Sequence, residues 1–201
     1  MAHPGKTIRI VLPFPAGGAG TDMMARVIGK KLSDEVGVPV VVDNKPGAST
    51  IIGAQDVAKS APDGHTLFYT IVITHTQNPH PFAKLPYDPF KDFTALSQVA
   101  RSATVLLDLP TLAEQGVQGV QGIDIVGWQG FFGPGGMNPE VAKKISSTLA
   151  KIVKTDEITA LIKNQGNEPT ATTGEEFAKI VRDDYERRGV VIKRTGIKLE
   201  Q

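Results

Sequence analysis

A chain of 201 residues, 40% of them hydrophobic, can form one good-sized core or two small ones, and its formal net charge of +1 argues against a nucleic-acid binder that works through a basic field. It has no cysteine, which excludes disulfides, a thiol nucleophile and cysteine metal sites, and His3, His65, His75 and His80 lack HExxH spacing, so neither a metal nor another cofactor is expected.

Residues 1–5 contain no apolar run and no cleavage site, so no export signal or transmembrane segment is expected in the sequence as it stands. That fits either a cytoplasmic protein or one whose leader has been removed. Residues 7–22, TIRIVLPFPAGGAGTD, are the stretch around which the N-terminal half is organised. Ile8, Ile10, Val11 and Leu12 predict a short strand buried on both faces, which Pro13 and Pro15 end. Gly17, Gly18 and Gly20 permit a tight turn, and a helix capped by Thr21 or Asp22 carries Met23, Met24, Val27, Ile28 and Leu32 at helical spacing. A strand, a glycine turn and a helix start aim several backbone N–H groups at one space and favour a bound oxyanion. The glycines serve a plain βα turn equally well. Their spacing fits neither the dinucleotide fingerprint nor the phosphate loop, since Met23 stands where the last glycine belongs and no lysine follows until Lys30. A small anionic ligand is the sharper option.

Residues 38–42, VPVVV, predict a second strand of the buried type, and residues 46–53, PGASTIIG, a second turn and helix start with Ser49 or Thr50 as cap. If these two strands are neighbours, two anion-friendly helix starts face one crevice. Residues 65–73, HTLFYTIVI, predict a third strand, from whose end Thr74, His75, Thr76, Gln77 and Asn78 emerge. His75 is either a proton carrier or a loop residue making one hydrogen bond. Pro81, Pro86 and Pro89 make residues 80–92 a surface crossing, and residues 93–107 predict a fourth strand.

Several long motifs, FPAGGAGTD, NKPGASTIIGAQDVAKSAPDGHTL, THTQNPHPFAKLPYDPFKDF, PTLAEQG and GWQGFFGPGGMNPE, resemble the Bug family, substrate-binding proteins related to the TctC receptor of tripartite tricarboxylate transporters. The resemblance runs from Lys6 to the end. It implies a type II periplasmic binding-protein fold, with two α/β lobes closing on a small carboxylate, a periplasmic location and transporter membrane subunits as partners. It also implies ligand contacts from Phe14, Ala16, Gly17, Gly18 and Ala19 in the first loop, Ala48, Ser49 and Thr50 in the second, and Thr74 and His75 after the third strand.

The chain departs from the family pattern where a second lobe is expected. Ala103, Thr104, Val105 and Leu106 run directly into Leu107, Asp108, Leu109 and Pro110, and a unit of roughly 100 residues, the usual size of one domain, is absent. The expectation is therefore one α/β lobe with a doubly wound, mainly parallel sheet, built from residues 6–106 and 107–201 joined directly. The first loop carries an extra Gly20, and residues 117–122 read VQGVQG, a small tandem duplication.

In the second segment Thr111 starts a short helix closed by Gly116, and residues 123–132, IDIVGWQGFF, predict a strand bearing the only tryptophan, Trp128. Trp128 is either core or part of a surface once covered by the other lobe, and an exposed apolar surface there, with Phe14 and the fourth strand, gives a homodimer its basis. Asn138 caps a helix over residues 139–154, Asp156 begins another, and Thr173 with Glu176 forms a capping box for the last, where Phe177, Ile180, Val181 and Tyr185 repeat at helical spacing. Arg182, Asp183, Asp184, Glu186, Arg187 and Arg188 read as its solvated face. The pattern points to a solute-binding protein and not an enzyme, because no nucleophile, base and orienter come together. The alternatives are a small α/β enzyme acting on an acidic substrate with His75 as acid and base, or a trimmed or engineered domain without a ligand.

Overall fold

The computed structural model describes residues 4–17, 20–103 and 126–195. Along the chain these form β1 (Ile8–Leu12), α1 (Thr21–Val36), β2 (Val40–Asn44), α2 (Ile51–Ala58), β3 (Thr66–Ile71), β4 (Phe93–Ala103), β5 (Val126–Pro134), α3 (Pro139–Val153), α4 (Asp156–Asn164), β6 (Glu168–Pro169) and α5 (Gly174–Thr195). A single tight turn at Ala48–Thr50 leads into α2, and a π-helical turn at Ile73–Gln77 follows β3. The short helix expected after Thr111, the VQGVQG duplication and the junction between the two segments lie outside the described residues.

The strands make one sheet in the order β2-β1-β3-β5-β4-β6. β1 runs parallel to β2 on one side and to β3 on the other, while β5 is antiparallel to β3 and β4, and β6 to β4. The expected α/β lobe is present, with its parallel part confined to β2, β1 and β3. Period-two alternation sends Ile8, Ile10, Leu12, Tyr69 and Phe131 to one face, where α1, α3 and α4 cover them with Met24, Ile28, Leu149 and Ile162. Val11, Phe68, Trp128 and Phe132 face the other way, against Val57 of α2 and Phe177 and Val181 of α5. The helix caps expected at Asn138 and at Thr173 are present. Asn138 Oδ1 accepts from the amides of Glu140 and Val141, and Thr173 and Glu176 bond reciprocally through backbone and side chain.

Four expectations need correction. β2 is not buried on both faces. It is the sheet edge, and Val41 is 48% exposed because the helices cover the face that holds Val40 and Val42 but not the opposite face at this margin. The homodimer loses the basis given for it, since Trp128 takes the core alternative, 3% exposed beneath α5 with its ring 5.1 Å from that of Phe177. The charges of α5 are not all solvated. Asp184 is 2% exposed and accepts from Trp128 Nε1 (3.3 Å), Thr76 Oγ1 (3.2 Å) and Arg188 Nε (2.8 Å), while Arg188 also donates to the Val126 carbonyl. β3 ends at Ile71, two residues before the expected limit, because the chain coils into the π-helical turn.

Gly130 lets α5 lie close on β5. A Cβ at this position would meet the Phe177 ring and the Ser97 carbonyl oxygen, the latter at 2.9 Å, and the backbone cannot yield. Gly130→Ala is expected to destabilise the fold by about 1–3 kcal/mol, the usual cost of overpacking, read as a lower urea midpoint at unchanged slope.

Candidate functional site

Because β1, β2 and β3 are parallel, their C-terminal ends share one edge of the sheet. The chain passes from β1 to β2 on one side and then to β3 on the other, which places a crevice at that edge. Two hydrogen bonds tie the first loop to the end of β2. Lys45 N donates to the Leu12 carbonyl (2.7 Å), and Asn44 Nδ2 to the Phe14 carbonyl (2.9 Å).

The first loop already holds a carboxylate, and it comes from the chain itself. α1 starts at Thr21 behind Gly20, and no side chain caps it. Asp22, expected as a cap, is instead 4% exposed and accepts from Gly17 N (3.1 Å), Arg26 Nε (2.9 Å), Arg26 Nη2 (3.1 Å) and Asn44 Nδ2 (2.9 Å). The hydrogen bonds from Arg26 and Asn44 hold its carboxyl down at about 2, so it is ionised at neutral pH. The preference of this turn for an anion is met internally, and Gly17 N–H is committed.

The second loop is the strained one. After Gly47 (φ 123°), Ala48, Ser49 and Thr50 have φ of 44°, 50° and 76°. Three successive non-glycine residues in the left-handed region cost about 1–2 kcal/mol each, and strain of this kind collects at functional sites. Neither Ser49 nor Thr50 caps α2. The π-helical turn after β3 holds them in place. Asn78 Nδ2 donates to the Ser49 carbonyl (2.7 Å), Thr50 Oγ1 lies 2.8 Å from Thr74 Oγ1, and Thr74 Oγ1 lies 2.6 Å from Thr70 Oγ1. Tyr87 OH fixes the other side of Thr74 by donating to its carbonyl (2.8 Å). Successive amides of a one-handed turn point the same way along its axis, and here Ala48 and Ser49 are exposed at the crevice.

The ten residues expected to touch a ligand therefore divide. Ala16, Gly17, Ala48 and Ser49 are exposed at the edge, Phe14 is half-buried against the core, and Thr50 and Thr74 lie beneath the second loop. Gly18 and Ala19 fall outside the described residues. His75 is not in the crevice. Its ring is fully buried, stacked on Phe132 at 4.0 Å and edge-on to Phe93 at 4.8 Å. Its Nδ1–H donates to the Pro89 carbonyl (3.0 Å), which pins the proline-rich crossing to the core, and burial lowers its pKa to about 4. A sealed imidazole of this kind has no route to a substrate proton. Sequence reasoning missed Asp22, Arg26 and Asn44 as a set, and Asn78 and Tyr87 as props. The available signal was a carboxylate and a guanidinium four residues apart at a helix start, together with amide side chains at two strand ends. An open hollow of about 590 Å³ along the proline-rich crossing has Phe82, Leu85, Phe90 and Tyr185 in its wall and shares only the prop Tyr87 with the site. Among the described residues no cluster of three His, Asp or Glu is placed to hold a metal, and no helix is long and apolar enough to cross a membrane.

Comparison with known proteins gives three findings. The profile of the tripartite tricarboxylate transporter family receptor matches residues 24–110 and 106–197. Protein BugT of Bordetella pertussis is 37% identical over 115 residues, which are 55% of this chain and 34% of BugT, so the match spans about a third of that relative. Among solved structures, the periplasmic binding protein BugD superposes with a TM-score of 0.85 at 18% identity, over 99% of this chain and 100% of BugD. Rpa4515 of R. palustris, solved with adipate, gives 0.82 at 21% identity, over 100% of both chains. At these identities the structural likeness speaks for the fold.

The sealed His75 has a pH signature. Between its ordinary value of 6.5 and its folded value of about 4, the unfolded chain takes up the proton and the folded chain does not. Stability is therefore fully present above 6.5 and falls as the pH drops toward 4. His75→Gln is expected to lower stability at pH 7 while removing that part of the slope, as read from urea midpoints across the range.

Proposed function

The chain belongs to the tripartite tricarboxylate transporter receptor family, and on that premise we propose that it is a solute-binding lobe holding a small carboxylate at the shared edge of β1, β2 and β3. The observation that carries this reading is the left-handed turn at Ala48–Thr50, strained and clamped from β3 and exposed where the strand ends meet. Its aligned amides offer hydrogen bonds to an anion and commit no counter-charge. The one guanidinium that reaches the first loop among the described residues is occupied by Asp22. The adipate bound by a protein of the same fold supports an organic acid as the ligand class.

The lobe would serve the membrane subunits of a tripartite transporter, in the periplasm. It consists of residues 6–106 and 107–201 joined where a second lobe would otherwise be inserted. What supports this is that the family profile matches in two stretches that overlap at residues 106–110. A carboxylate held by one lobe stays open to water, which weakens each hydrogen bond relative to a closed cleft. An acid–base enzyme reading has lost its residue, because His75 is sealed among Phe93, Phe132 and Trp128.

Calorimetric titration with adipate, succinate, citrate and acetate tests the proposal. Saturable binding of at least one acid is expected, and Asn78→Ala, which releases the Ser49 carbonyl and relaxes the strained turn, should weaken it about tenfold, or 1.4 kcal/mol. If no acid gives saturable heat with the folded chain, the proposal falls.

A further inference from the structure

One margin of the sheet is open. β2 is its last strand, and the pairing with β1 fixes which of its peptide groups are used. The Pro39 carbonyl accepts from Ile8 N (2.9 Å), and Lys45 N donates to the Leu12 carbonyl (2.7 Å), so Pro39 and Lys45 turn toward β1. Successive residues of a strand alternate in this respect. Val41 and Asp43 therefore also bond toward β1, while the N–H and C=O groups of Val40, Val42 and Asn44 point outward, where no other strand lies among the described residues. A free edge is a template for another strand, and exposed edges are commonly blunted by a charge, a proline or a bulge. Val40, Val41 and Val42 carry no such device, and the register along β1 runs without a shift.

This edge fits a second copy of itself. Laid antiparallel about a two-fold axis at Val41, Val40 and Val42 stand opposite Val42 and Val40 of the second copy and exchange their outward N–H and C=O groups. Val41 then meets Val41 in the close, non-hydrogen-bonded pair between them. Val41 is 48% exposed on the face that no helix covers, and this register alone buries it against its own image. A displacement of two residues would set Val41 against Pro39 or against Asp43, whose carboxylate is paired with Arg9 and Lys45. A displacement of one would turn the valines to opposite faces.

The helix over this margin is complementary as well. Arg26 Nη2 donates to Asn44 Oδ1 at one end of β2, and Ser33 Oγ donates to the Val38 carbonyl before the other, so α1 runs beside the edge in the opposite direction. Lys30 lies between Arg26 and Ser33 in the same helical row, ion-paired with Asp34 at 3.2 Å, and both side chains are exposed. The two-fold axis brings α1 alongside its own copy, reversed, so that the lysine and carboxylate of each pair meet the opposite charge of the other.

We propose that the free edge of β2 is a self-association surface, at which two copies of this chain join residues 40–42 antiparallel into one continuous sheet. The inference is independent of the carboxylate reading and of the surface near Trp128. Because the copies run in opposite directions, their crevices open at opposite ends of the joined sheet and neither covers the other.

Sedimentation equilibrium over a wide range of concentration tests the proposal, and a reversible shift from the mass of one chain to that of two is expected. Val41→Lys changes a side chain that faces solvent in the single copy but sets like charges directly opposite each other at the axis. It should weaken association about tenfold, through the lost valine pair and the repulsion together. Val41→Glu should do the same, and a mixture of the two variants should associate again, which requires an interface where position 41 meets itself. Urea midpoints of the variants equal to that of the wild type, measured where all are single, exclude unfolding as the cause. Hydrogen exchange gives a readout that needs no variant. The amides of Val41 and Asp43 should be protected at every concentration, and those of Val40 and Val42 only where two copies are joined. A chain that stays single at every concentration, a dimer indifferent to Val41→Lys, or a mixture of variants that stays apart overturns the inference. So does protection of Val40 and Val42 at every dilution, the pattern of an edge covered by a segment of its own chain.

Discussion

The parallel pairing of β1 with β2 on one side and β3 on the other is the constraint that shapes every other part of the lobe. It brings three strand ends to one edge, so that residues distant in sequence become neighbours there. Asn44 reaches the Phe14 carbonyl, and Asn78 reaches the Ser49 carbonyl across 29 positions of chain. The left-handed turn at Ala48–Thr50 exists only because of this convergence. Its backbone conformation is unfavourable in isolation, and the π-helical turn after β3 supplies the amide and hydroxyls that hold it.

Two buried carboxylates play matching structural parts on the two faces of the sheet. Asp22 gathers the first loop, α1 and the end of β2 around one charge through Gly17, Arg26 and Asn44. Asp184 does the same for α5, β5 and the π-helical turn through Arg188, Trp128 and Thr76. Each is paired with arginine and bonded by further donors, the condition under which a buried charge is tolerated. Neither is left free to receive a cation or to repel an incoming acid.

Much of the framework was legible in the sequence, because it depends on local pattern. The apolar run of β1, the Asn138 cap and the Thr173–Glu176 box are short-range features, and the structure contains all of them. What could not be read depends on partners far along the chain. VPVVV looks the same at the centre of a sheet and at its edge, and only the pairing order makes Val41 an exposed residue. Ala48, Ser49 and Thr50 give no hint of positive φ, since none is glycine and the residues that enforce it are Thr74 and Asn78. Asp184 sits in a run of charges that suits a solvated helix face, and the partner it meets in the interior, Trp128, lies 56 positions away on β5. β6 is two residues long, below what any periodicity can signal.

The place of β5 has a consequence for how the chain folds. β3 and β4 are adjacent strands in sequence but do not pair, because β5, from the far segment, lies between them and bonds to both. During synthesis, the facing edges of β3 and β4 must therefore wait unsatisfied until residue 134 has emerged. Contacts this distant in sequence close slowly and leave apolar strands such as β3 open to wrong pairings in the meantime. The middle of the sheet is closed by a strand that arrives after both of its neighbours.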